Sequence, residues 1–114
     1  MAFATSVVDR RSARRYTGFA VARVRTKTFD FSCRVVDISA TGAKIGVAPS
    51  LISSFREDEW DLVIDRIGRL RAKKIWQRGS EFGLQFVTSA GKKASLENTL
   101  NSLADAGTIR LLDG

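Results

Sequence analysis

Residues 29–47 read FDFSCRVVDISATGAKIGV. Two alternating runs flank a short polar stretch. In the first, Phe29, Phe31, Cys33 and Val35 share one side, and Asp30, Ser32 and Arg34 the other. In the second, Ala43, Ile45 and Val47 fall together. Period-two alternation places successive side chains on opposite faces of a pleated strand, so each run reads as a half-buried strand. Between them, Asp37, Ser39 and Gly42 read as a polar turn. Short Asp and Ser side chains bond nearby backbone N–H groups, and glycine tolerates φ > 0.

The alternation continues outward. In GFAVARVRT, Ala20, Ala22 and Val24 oppose Phe19, Val21, Arg23 and Arg25. WDLVIDRI groups Trp60, Leu62 and Ile64, and RLRAKKIW and EFGLQFV follow, the latter with Phe82, Leu84 and Phe86 on one face. Gly68 and Arg78-Gly79-Ser80 mark turns, and Pro49 marks a strand end. About six short strands at this spacing predict an all-β domain, closed into an antiparallel barrel because closure removes exposed edges. The pattern then changes. AGKKASLENTLNSLADAG spaces Leu96, Leu100 and Leu103 for one amphipathic C-terminal α-helix, with Ser89 as its N-cap and Gly107 as its terminator. The expected division is a flexible basic segment over 1–17, a barrel plus helix over 18–107, and a tail over 108–114. The tail docks on its own barrel or on a partner; the residues leave both open.

The composition narrows the chemistry. The 114 residues suit one domain, and 44% hydrophobic content can fill a core. There is no histidine and a single cysteine, Cys33. This excludes an internal disulfide and any nucleophile that depends on histidine, and it argues against a transition-metal site. Asp58, Asp61, Asp65 and the Glu57/Glu59 pair read as a solvated face rather than an acid–base pair. Binding without catalysis, and without a cofactor, is therefore expected. No run is long and apolar enough to span a bilayer, and the start lacks a signal-peptide pattern, so a cytoplasmic location is expected. The net charge is +7, and residues 1–27 carry seven cationic side chains against Asp9 alone. Such a concentration attracts phosphate-bearing partners.

Two motifs sharpen this. DRRSARRY, residues 9–16, contains Arg11 and Arg15 spaced R-x-x-x-R, and Asp37, Ser39 and Gly42 are spaced D-x-S-x-x-G. In this order and separation, followed by GAKIGV and by LRAKKIWQRGSEFGLQF with Trp76 and Phe82-Gly83-Leu84-x-Phe86, they resemble the PilZ domain, the bacterial receptor module for cyclic di-GMP. The resemblance covers roughly residues 9 to 105. It implies a split barrel that binds the nucleotide, changes conformation and signals to a protein partner in motility, surface attachment and biofilm, polysaccharide secretion or virulence. It carries ligand contact to Arg11, Arg15, Asp37, Ser39 and Gly42, with Arg14 and Thr41 as possible additions. Arg10 precedes the first motif arginine; in the family an arginine there tends to accompany two stacked nucleotides. Arg10 and Arg14 have the same spacing, and Arg11/Arg15 is preferred because members commonly read Arg-Arg-x-x-x-Arg. Tyr16 and Thr17 stand where a hydrophobe and a proline are common.

These residue types suit the ligand. A guanidinium fork clamps a phosphate or pairs with guanine O6 and N7, and it can stack on a purine. A carboxylate accepts from guanine N1–H and the amino group, which adenine cannot match. The crowded arginines of the first segment repel one another, so ligand is expected to fold it across the barrel. Two other readings remain. One is a basic barrel binding single-stranded nucleic acid, with Phe19, Arg23 and Arg25 as its face. The other is a PilZ-like interaction module without nucleotide. The expected state is a monomer or a ligand-influenced dimer, without membrane insertion.

Overall fold

The computed structural model describes residues 14–18, 22–54 and 57–112. Among the described residues eight strands run in chain order: β1 Tyr16–Thr17, β2 Ala22–Arg25, β3 Asp30–Ile38, β4 Gly42–Gly46, β5 Glu59–Ile64, β6 Gly68–Arg78, β7 Glu81–Phe86 and β8 Arg110–Leu111. A 3-10 helix spans Pro49–Ser54, and the α-helix among the described residues, α1, spans Ala90–Asp105. Pro49 thus opens a helical turn rather than closing a strand. The antiparallel order β2-β5-β6-β7-β4-β3 closes on itself through the β2–β3 pairing. The result is a six-stranded barrel with β1 and β8 added beyond β3.

Alternation built this barrel as expected. Ala22, Val24, Cys33, Val35, Ile45, Leu62, Ile64, Phe82 and Leu84 face inward and are buried. Trp60 and Phe82 meet edge to face at 5.9 Å, a geometry favoured by the ring quadrupoles. The Trp60 indole N–H is satisfied by the Glu57 carbonyl at 2.8 Å. Burial pushes the Cys33 thiol up to about 12, so at neutral pH it is a small apolar core group. Phe29 departs from the pattern. It lies before β3, in the turn closed by the Thr26 N–H to Phe29 carbonyl bond, and is 45% exposed.

The helix forms where its caps place it. The Ser89 hydroxyl accepts from the Lys92 N–H. At the other end Gly107, at φ 79°, allows two terminal bonds, Gly107 N–H to Ala104 and Thr108 N–H to Leu103. That pair of bonds satisfies carbonyls the helix itself cannot. Leu96 and Leu100 are buried in the barrel's core cluster, and Leu103 packs against it.

Two irregularities matter most for function. Between Val35 and Asp37 the β3–β4 register shifts, leaving Val36 as an extra residue. Between Lys74 and Trp76 the β6–β7 register shifts, leaving Ile75 extra. A bulge of one residue reverses which face the following side chains occupy. Without the first, Asp37 would continue the inward set of Cys33 and Val35. With it, Ile38 turns inward and is fully buried, while Asp37 pairs with Lys44 on the outer face. Without the second, Trp76 would follow Leu70 and Ala72 inward. With it, Trp76 pairs with Gly83 outside.

Candidate functional site

The two bulges assemble one cross-strand row. Asp37 on β3 opposes Lys44 on β4, Lys44 opposes Gly83 on β7, and Gly83 opposes Trp76 on β6. With strands about 4.8 Å apart, the row extends roughly 14 Å across the outer barrel wall. It forms the floor of a concave space of about 530 Å³ that also takes in Arg15, Thr41, Gly42, Ile75 and Gln85.

Asp37 is therefore a strand residue, not part of the turn expected for it. Its residue exposure is 7%. Its carboxylate accepts from the Arg15 guanidinium at 2.6 Å, across 22 residues of sequence. This contact joins the two motifs. The Arg15 side chain is 58% exposed and that of Asp37 11%, so the guanidinium keeps further N–H donors facing solvent while one holds the carboxylate.

Arg15 owes its place to β1. Tyr16 is 2% exposed, pairs with Ile38 and Leu111, and its hydroxyl donates to the Asn101 side chain of α1. The Thr17 hydroxyl donates to the Val36 carbonyl at 3.0 Å. The Leu112 N–H donates to the Arg15 carbonyl at 2.8 Å, and Ile109 is buried. Residues 109–112 thus lie on this chain's own β1, the first of the two dockings open for them.

Ser39 and Gly42 behave differently from Asp37. The Ser39 hydroxyl contacts the Thr41 hydroxyl at 3.0 Å, accepts from the Thr41 N–H and is 2% exposed as a residue. The Ser39 N–H donates to the Gly42 carbonyl at 2.8 Å. Ser39 holds its own hairpin and does not line the cleft. Gly42 does line it, but not through a positive φ: the described glycines with positive φ are Gly18, Gly68, Gly79 and Gly107. Glycine is required because a Cβ would stand 2.1 Å from the Leu84 carbonyl oxygen of β7.

Gly83 is required by a side chain instead. A Cβ there would lie 2.0 Å from the Trp76 indole nitrogen, so the indole rests on the bare backbone. Trp76 also lines the cleft, and the residue is 41% exposed. Sequence reasoning named Trp76 only as a barrel marker and missed Lys44 and Gln85. Arg14 is described but lines a separate depression beside Tyr16, Asn101 and Leu111. Arg10 and Arg11 lie outside the described residues, as does Phe19.

The chain matches the PilZ domain family model over residues 9–104. That family consists of ligand-binding and adaptor modules, not enzymes. Among curated proteins nothing matches the chain. Among solved structures, an uncharacterized Legionella protein has a similar fold, at TM-score 0.55 and 22% identity, covering 75% of this chain and 88% of that one.

Proposed function

The chain belongs to the PilZ domain family, and from that premise we propose that it is a receptor for cyclic di-GMP that passes the signal to a protein partner. The observation that carries this reading is the Arg15–Asp37 pair at 2.6 Å at the edge of a cleft rimmed by an exposed indole. The ligand presents anionic phosphodiesters and guanine bases. The remaining donors of the Arg15 fork take a phosphate or a guanine O6/N7 edge, and Asp37 accepts from guanine N1–H and the amino group. Trp76 offers a face on which a purine stacks. Arg10 and Arg11 would add to the clamp from the preceding segment. Gly42 contributes through the close β4–β7 approach that shapes the cleft floor, and Ser39 through the hairpin that presents Thr41.

Single-stranded nucleic acid is less well served. Strand binding uses several aromatic platforms along a groove. Among the described residues only Phe29 and Trp76 are exposed aromatics. No described helix is long and apolar enough to cross a membrane.

Calorimetric titration with cyclic di-GMP tests the reading. The wild-type chain binds, and Arg15→Ala and Asp37→Ala each lose at least about tenfold in affinity, the equivalent of one charge-assisted bond. No heat from the folded wild-type chain would overturn it.

A further inference from the structure

Three charged side chains line the described cleft: Arg15, Asp37 and Lys44. Arg15 and Asp37 neutralise each other at 2.6 Å. The side chain of Lys44, a half-buried residue at the centre of the cross-strand row, has no hydrogen-bond or ion-pair partner among the described residues. Asp37 lies directly across the strand pair from it, yet bonds Arg15 instead. Lys44 is thus the surplus positive charge of the cleft floor. It stands on a strand paired on both sides, not on the segment that carries the arginines.

We infer that Lys44 is a phosphate-binding residue of this cleft, an assignment that rests on the cyclic dinucleotide reading above. The argument is one of charge and order of events. A ligand with two phosphodiesters meets a floor whose Arg15 is already occupied by Asp37. The charge of Arg15 is offset by Asp37 at 2.6 Å; that of Lys44 is not. A fixed, uncommitted charge acts on the encounter and on its salt dependence, whereas a contact from an already neutralised pair acts mainly on dissociation. Gly83 on one side of Lys44 carries no side chain, and on the other side Asp37 is held by Arg15. Lys44 thus lies between Asp37 and the Gly83 backbone on which the Trp76 indole rests, beside the place where a stacked base would bring its phosphate.

The test compares wild type, Lys44→Met, Lys44→Arg and Arg15→Ala with cyclic di-GMP, by calorimetry and stopped-flow tryptophan fluorescence at several salt concentrations. Methionine keeps an apolar stem of similar length and removes the charge; thermal melting checks that the barrel is intact. Lys44→Met lowers affinity about tenfold, mostly through a slower and less salt-sensitive association, and Lys44→Arg restores both. Arg15→Ala instead speeds dissociation. Wild-type affinity and association in Lys44→Met, while Arg15→Ala fails, would overturn the role of Lys44 and leave the receptor reading standing. No binding by wild type would overturn both.

Discussion

Gly42 shows how a motif residue can serve the ligand site through the fold. Its missing Cβ makes way for the Leu84 carbonyl, so Gly42→Ala forces β4 from β7. Overpacking of this kind costs about 1–3 kcal/mol or more, and the denaturation midpoint should fall accordingly, even with no ligand present. Unchanged stability with lost binding would mean that the glycine serves the ligand directly. Gly83→Ala is the counterpart: its clash is with a side chain, so it displaces the Trp76 indole with little effect on the strands. The need for glycine at 42 was legible in D-x-S-x-x-G, but its cause was not. A turn residue with φ > 0 and a strand residue against a carbonyl look the same in sequence.

At the scale of elements, the strands with unbroken alternation were legible, as Ala43 to Val47 and Phe82 to Phe86 illustrate. The bulges were not. Val36 and Ile75 are ordinary strand residues, and what makes them extra is the partner's register, which no local pattern encodes. For that reason Asp37 was read as a turn and Trp76 as barrel. The short strand β8 was equally hidden, since two residues give no periodicity. It now has a specific consequence. Removing residues 110–114 deletes the Leu112 bond to the Arg15 carbonyl and one side of β1. Tyr16 still pairs with Ile38 and α1, so the barrel's melting should change little. Affinity for cyclic di-GMP should fall about two- to tenfold, the worth of one backbone hydrogen bond. Full affinity in the truncated chain would show that β8 does not position Arg15.

For the whole molecule, fold class and family were readable because barrel alternation, the helix stripe and two motifs agreed with one another. The site's composition was only half readable. Of the residues that line the cleft, Arg15, Asp37, Thr41 and Gly42 were named from the motifs; Lys44, two residues past Gly42, falls outside their spacing, and Gln85 and Trp76 come from strands far along the chain. The central claim is that a nucleotide base enters this cleft beside Trp76. The chain has two tryptophans, which makes it directly measurable. Trp60 is fully buried and its indole N–H is held by the Glu57 carbonyl, whereas Trp76 is exposed at the cleft rim. In a nitrogen–proton correlation spectrum of the wild-type chain titrated with cyclic di-GMP, the Trp76 indole resonance should shift strongly and saturate, while that of Trp60 stays in place. Saturating ligand that leaves the Trp76 indole where it was would contradict the account.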